Sequence, residues 1–408
     1  MAESAEHTWR HIEDLIEQHM EHEQHSSVLK SPLQEVVPTV GTFFTPLQLV
    51  DAWRMYDGKY GISKRRHVKP SFNEIRHVLN LSQVLAMSGK LKLVTFDGDC
   101  TLYSDGNDFS DAKLARFITA LLRNGVHVAL VTAAGYAYEA HKYEKRLSGL
   151  LRYFKAHQLP SEVVSRFLVL GGESNYLLAC ERCESSEESR YYLSSRESAW
   201  RGVFSPDDRL VQAMLDVAEE TMRSTVLELQ LRAKIIRKPR SIGVVPGGKA
   251  GKLEQPLGAG SSVQPSEALD EIVIRCQHDI RAHVVAGMRA TIGCAGGSGK
   301  PDCKGGEDGS GGGEAVEPQA KRPRQDAPSP PPFCAFNGGN DAWVDIGDKA
   351  VGVRGLCQVL ELPAESALHV GDQFHNTGND YAARGCCPCV WVSSPRETRR
   401  VLKHLLLE

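Results

Sequence analysis

Nowhere in the 408-residue chain do about 18 apolar residues run together, so no membrane-spanning helix is expected. The first residues, Met-Ala-Glu-Ser-Ala-Glu-His, are acidic and polar and lack the basic-then-apolar order of a signal peptide, so none is expected. Charge of one sign is absent too. Forty-eight basic residues stand against 51 acidic ones, a formal net charge of −3, which gives nucleic acid or an anionic membrane no strong hold. No Cys-x5-Arg loop of glycine-rich, phosphate-cradling character occurs, which sets aside a cysteine-based phosphatase. Cys180-x-x-Cys183 lacks a second pair, and Cys386, Cys387 and Cys389 are spaced differently, so a zinc site is not expected. Eleven scattered cysteines, an odd number, read as reduced thiols, with the cytosol as the expected compartment. The length allows two or three domains, and a 41% apolar share is ordinary for a globular protein.

What is present is organised around Leu93-Val94-Thr95-Phe96-Asp97-Gly98-Asp99-Cys100-Thr101-Leu102. The apolar run predicts a buried parallel strand, and its polar residues fall where that strand leaves the sheet. Ligands of open α/β sheets bind at this carboxyl edge. Asp97 and Asp99 lie one residue apart and repel, a cost that a divalent cation would relieve. Residues 111–124 predict a helix stopped by Gly125, and 126–131 a second strand ending in Thr132, which completes a βαβ unit. The Thr132 hydroxyl and the N–H groups after it suit a phosphate. Further on, Lys349 precedes a helix expected to run to Leu360, and a strand from Ala367 ends at Asp372, with Asp380 in the polar loop that follows.

The rest of the chain divides by composition. Residues 1–88 predict a helical N-terminal region, with Trp9, Ile12, Leu15 and Ile16 at helical spacing and Ser71 with Glu74 as a capping box. Its basic run, Lys64 to Pro70, is either a solvated loop or a site for an anionic ligand. About two hundred residues separate Thr132 from the next chemical motif, too many for one connection, so an inserted domain is expected. The divisions expected are a catalytic core at 89–160 and 333–408, an inserted α/β cap at 161–294, and a disordered linker at 295–332. Lys321-Arg322-Pro323-Arg324 in the linker reads as a solvated charge cluster before a nuclear-import signal.

Asp97 with Asp99, Thr132, Lys349, and Asp372 with Asp380 resemble, in order, the four motifs of haloacid-dehalogenase-like phosphatases. The resemblance implies a parallel α/β core and Mg²⁺ held by Asp97, the Asp99 carbonyl and Asp372. It also implies attack on phosphorus by Asp97, proton transfer by Asp99, phosphoryl binding by Lys349 and Thr132, and a supporting role for Asn376, Asn379 and Asp380. Longer stretches, among them Pro70 to Arg76, Thr95 to Tyr103, Gly171 to Tyr176, Phe336 to Asp345 and Gly371 to Asp380, resemble the eukaryotic IMP-specific 5′-nucleotidases. That resemblance implies conversion of IMP to inosine in purine nucleotide salvage and catabolism, with Asp341, Trp343 and Asp345 facing the substrate. A homotetramer is implied as well, and activation by ATP outside the catalytic site, with Arg65, Arg66 and Arg76 as candidate contacts. Trp343 suits stacking on a purine, and carboxylates suit ribose hydroxyls or base N–H groups. Two rival readings stand beside this one: a broader phosphomonoesterase on the same fold, and a nucleotide sensor with a degenerate core.

Overall fold

The computed structural model describes residues 2–25, 29–184, 189–247, 265–294 and 330–406. The linker expected at 295–332, with Lys321 to Arg324 in it, lies almost wholly outside the described residues.

Among the described residues, eleven strands form two sheets: β1 (Leu93–Phe96), β2 (His127–Val131), β3 (Phe167–Gly171), β4 (Tyr176–Glu184), β5 (Ser189–Ser195), β6 (Ala233–Lys238), β7 (Ser241–Pro246), β8 (Phe333–Asn337), β9 (Ala342–Ile346), β10 (Ala367–Gly371) and β11 (Cys389–Trp391). The larger sheet has the order β11-β10-β1-β2-β3-β4-β5. Its pairings are parallel from β11 to β3, while β4 and β5 run antiparallel at one edge. Both faces are covered, as the near-continuous apolar strands require. Leu93, Ala129, Val131, Leu168 and Leu170 pack to one side, and Val94, Phe96, Val128, Leu130 and Val169 to the other. Leu93, Val94 and Phe96 are fully buried, each contributing roughly 1.5–3 kcal/mol relative to exposure. With β1 between β10 and β2, Asp97, Thr132 and Asp372 emerge at neighbouring strand ends. The βαβ unit closes through the helix Ala112–Arg123, whose first N–H groups are capped by the Asp111 carboxylate.

The smaller sheet is antiparallel with the order β6-β7-β9-β8. The helices Asp208–Glu228 and Ser266–Cys294 cover one face, on a core that includes Met214, Leu215, Ile272, Val244, Ala342, Val344 and Ile346. Two expected boundaries move. Residues 167–195, expected in the inserted domain, extend the large sheet, because the wholly buried β3 finds its second covered face only beside β2. Residues 333–346, expected in the core, belong to the small sheet, because the alternation of β9 buries every second side chain against the two long helices.

The N-terminal helices Ala2–Gln24, Leu49–Tyr60 and Phe72–Met87 share a core built on Trp9, Ile16, Leu49, Trp53 and Val78. Ser71 and Glu74 form the capping box at 3.3 and 2.8 Å. The helix Phe72–Met87 also packs against β11 and the last helix, Pro395–Leu405. No helix among the described residues is long and apolar enough to cross a membrane.

Candidate active site

β1 delivers Asp97 to the carboxyl edge, and the Asp97 N–H still donates to the Val370 carbonyl at 2.9 Å, so the ladder holds it one residue past the strand. At Gly98 a side chain would collide with the Tyr103 hydroxyl and come within 3.4 Å of Thr132 Oγ1, so the chain turns here without one. Thr132 is buried, and its Oγ1 accepts the Ala134 N–H at 3.1 Å, which leaves its own proton free to be donated. Asp99 lies nearer the rim. Its Oδ1 accepts from the Gly106 N–H at 3.0 Å and sits 3.3 Å from Arg146 Nη2.

Lys349 opens the helix Lys349–Val359, capped by Asp348, which accepts the Val351 N–H at 2.7 Å. Its ammonium is fully buried and donates to Asp97 Oδ1 at 2.5 Å and Asp380 Oδ1 at 2.6 Å. Asp380 accepts the Gln373 N–H on Oδ2 at 2.8 Å and bonds His369 Nε2 on Oδ1 at 2.9 Å. His369 Nδ1 meets Thr95 Oγ1 at 2.8 Å, which extends the chain of buried polar groups to Thr95, His369, Asp380, Lys349 and Asp97. Gly371 permits this packing, since any side chain there would collide with the Asp380 carboxylate.

Charge is unbalanced at this point. One ligand atom from each of Asp97, Asp372 and Asp380 lies within 4.8 Å of the others. Burial, and then the neighbouring carboxylates, push Asp372 above the usual range, and burial also pushes Asp97 up, against the pull of Lys349. Asp380 goes the other way: burial opposes ionisation, but Lys349 and the His369 hydrogen bond outweigh it and hold the carboxyl well below its usual value. Lys349 is burdened by burial yet kept above the ordinary lysine value by Asp380, Asp97 and Glu173.

Opposite Asp97 opens a cavity of about 450 Å³. Its walls include Asp99, Asp372 and Asn379 from the core and Lys238, Asp341, Trp343 and Asp345 from the small sheet. Because Ala342, Val344 and Ile346 of β9 point into the apolar core, the alternate residues Trp343 and Asp345 fall on the cavity side. Lys238 Nζ lies 4.4 Å above the Trp343 ring. Asp345 is buried with no hydrogen-bond partner for its Oδ1, and burial pushes it up to about 7 against the pull of Lys238 and Ser241.

Not every expected residue comes here. Asn379 lines the cavity and donates to Glu173 Oε1 at 2.9 Å, but Asn376 is exposed, with its carbonyl accepting from Gln277 at 3.3 Å. Arg65, Arg66 and Arg76 do not gather around one ligand: Arg65 pairs with Glu74 at 2.9 Å, Arg66 is exposed, and Arg76 is buried against Glu397 at 2.9 Å. Basic groups collect elsewhere, around a cavity of about 430 Å³ lined by Tyr56, Lys59, His77, Arg400, Lys403 and His404.

Three residues of the site escaped the sequence reading. Glu173 is fully buried, its Oε2 has no partner, and burial pushes its carboxyl well up. His369 buttresses Asp380, and Arg146 holds Asp99. A signal existed for the first two, a polar residue inside the Gly171 to Tyr176 stretch and a histidine inside an otherwise buried strand; for Arg146 there was none.

A parallel sheet whose central strand ends in a lysine-paired aspartate, with a second aspartate two residues on and more carboxylates from the next strand, defines a haloacid-dehalogenase-like α/β phosphohydrolase. The family model for IMP-specific 5′-nucleotidases matches residues 3–402. The IMP-specific 5′-nucleotidase 1 of Plasmodium falciparum is 36% identical over 396 residues, covering 97% of this chain and 76% of the relative. That of Eremothecium gossypii is 38% identical over 392 residues, covering 93% and 81%. A solved structure of N-terminally truncated, IMP-bound P. falciparum IMP-nucleotidase matches at TM-score 0.77 and 34% identity, over 98% of this chain and 90% of that one. The ATP-bound P. falciparum enzyme matches at TM-score 0.72 and 35% identity, over 98% and 79%. The chain belongs to the IMP-specific 5′-nucleotidase family, which makes it a phosphomonoester hydrolase.

Proposed function

We propose that this chain hydrolyses inosine 5′-monophosphate to inosine and phosphate, with Mg²⁺ as cofactor and an aspartyl-phosphate on Asp97 as intermediate. The observation that carries the reading is the buried, lysine-paired Asp97 at the floor of a cavity whose opposite wall offers Trp343 and the buried Asp345, whose Oδ1 has no hydrogen-bond partner. The donor set fits Mg²⁺, being all oxygen and held close with too little positive charge beside it. Asp97, Asp372 and the Asp99 carbonyl would hold the ion, which when bound would offset the negative charge of the phosphoryl group. Asp380 serves as support, since its oxygens already bond Lys349, His369 and Gln373.

A carboxylate oxygen of Asp97 attacks phosphorus as the bond to the ribose 5′ oxygen breaks. Asp99, pushed up chiefly by burial, gives its proton to that oxygen. It then takes a proton from the water that attacks the phosphoaspartate, which releases phosphate and restores Asp97. Lys349 fixes the nucleophile's orientation, and Thr132 donates its free proton to a phosphoryl oxygen. Trp343 stacks on the hypoxanthine, while Asp345 and Asp341 accept N–H or hydroxyl groups of the nucleoside.

On the same reading the small sheet with its two helices is the cap, and the N-terminal helices form a regulatory layer. ATP is the activator, and the basic cavity around Lys59, His77, Arg400 and Lys403 supports a site for it outside the catalytic pocket. A homotetramer would cover the exposed Leu29, Val36, Val68 and Phe72. The reaction serves purine nucleotide salvage and catabolism, with the cytosol as its compartment. Phosphate release from IMP, GMP, AMP and p-nitrophenyl phosphate, with and without Mg²⁺, tests the core of the proposal. Mg²⁺-dependent turnover confined to IMP is expected. Equal turnover of all four would overturn the specificity, and no release from a folded sample would overturn the enzyme.

A further inference from the structure

We propose that Trp391 is a positioning residue of the active site, through which the helix Phe72–Met87 sets the main chain of Asp372. β11 is the edge of the large sheet, so one side of its backbone has no strand to pair with. Asn80 takes the place of that strand. Its amide accepts the Trp391 N–H on Oδ1 at 3.1 Å and donates to the Trp391 carbonyl from Nδ2 at 2.6 Å. Arg76 donates to the same carbonyl and is itself fixed by Glu397. Both main-chain groups of Trp391 are therefore clamped by one helix.

The side chain of Trp391 carries the constraint inward. Its indole Nε1–H donates to the Asp372 carbonyl at 2.8 Å. The ring is kept from turning by edge-on contacts with His375 at 4.9 Å and Phe72 at 5.7 Å between centroids. Asp372 stands at the point where β10 gives way to the polar loop, so a bond to its carbonyl fixes the peptide plane and the direction in which the loop leaves. That direction aims the Asp372 carboxylate at Asp97 and sets where Asp380 returns to Lys349. The N-terminal layer thus reaches the reaction centre through Asn80 and Arg76 on the helix and Trp391 on the strand. Asn80, His77 and Glu397 also line the basic cavity, so an anion bound there touches the far end of the same linkage. The inference rests on the reading of Asp372 as a ligand for Mg²⁺.

The test uses the full chain without substrate, titrating Mg²⁺ and following the melting temperature, with kcat and KM for IMP measured in parallel. Trp391→Phe keeps an aromatic ring at the position and removes the indole N–H. The Mg²⁺ concentration at the midpoint of the thermal shift is expected to rise roughly three- to tenfold, with kcat lowered and KM for IMP little changed. Asn80→Ala, which weakens the linkage at its other end, should move the midpoint in the same direction by a smaller factor. The double variant should be no worse than Trp391→Phe alone, because the two residues act in series. Melting in the absence of Mg²⁺ separates any loss of folding stability from the shift in midpoint. If the parent chain shows the Mg²⁺-induced shift and both variants show it at the same concentration, or their effects add, the linkage is overturned. If the parent chain shows no shift, the metal reading of Asp372 fails and the proposal falls with it.

Discussion

Two of the cavities among the described residues are nearly equal in size, about 450 and 430 Å³, with opposite linings. The first is walled by Asp97, Asp99, Asp105, Asp341, Asp345 and Asp372, with Lys238 as the one basic residue among its described lining. The second, between the helices Leu49–Tyr60, Phe72–Met87 and Pro395–Leu405, is walled by Lys59, His77, Arg400, Lys403 and His404, with Glu397 the only acid among its described lining. Burial, and then Lys59 and Lys403, hold His404 below the ordinary histidine value. An anion can enter the second cavity on charge alone. In the first, a phosphate meets carboxylates and is accepted only with compensating cations. On the proposed reading, the pocket that reacts with a phosphate and the pocket that holds one are lined with opposite charges.

The largest way to break this contrast is to remove the nucleophile. Asp97→Asn keeps the shape of the side chain and should lower phosphate release from IMP by roughly 10³-fold or more, with the circular dichroism spectrum unchanged. Appreciable residual turnover would exclude the covalent route. Next in size is Lys349→Met, which leaves Asp97 and Asp380 buried without their shared cation. A loss of about 3–5 kcal/mol in urea unfolding is expected, with activity abolished.

A pH effect sharpens the comparison further. Asp345 titrates at about 7 in the folded chain, above the ordinary carboxylate value it takes when unfolded. Between those values the folded state holds the extra proton, so stability falls as pH rises through the window and levels off above it. Asp345→Asn should remove that slope, stabilising the chain on the order of 3 kcal/mol at about pH 8 and hardly at all at about pH 4. Melting curves across that range check it. The smallest effect belongs to the basic cavity, where Lys403→Ala should raise the ATP concentration for half-activation of IMP turnover roughly two- to fivefold. No change would move the ATP site away from this cavity.

Much of the site was legible in the sequence because its signals are local. The apolar run at 93–96 needs only its own residues to become a buried strand, and a strand ending in Asp97 fixes where that carboxylate goes. The capping box of Ser71 and Glu74 likewise lies within one turn of helix. Partnerships were harder. Lys349 finds Asp97 across 252 positions, Asn379 finds Glu173 across 206, and Asn80 finds Trp391 across 311. None of these distances leaves a trace in residue spacing. The sheet boundaries failed for the same reason: which sheet β3 and β9 each join depends on which distant face has room for it.

The sequence by itself therefore determined the acid-bearing strand ends, the caps and the family, because each depends on neighbours in the chain or on long matched stretches. Only the tertiary structure decided that Asp380 is held by Lys349, His369 and Gln373 while Asp345 keeps one oxygen, Oδ1, unpaired at the cavity wall. It also decided that, of the effector arginines expected from the sequence, Arg65 pairs with Glu74 and Arg76 with the distant Glu397, while Arg66 is left exposed. Whether a charged group is free or paired is set by packing between segments far apart in the chain, where burial removes water and makes each nearby charge count.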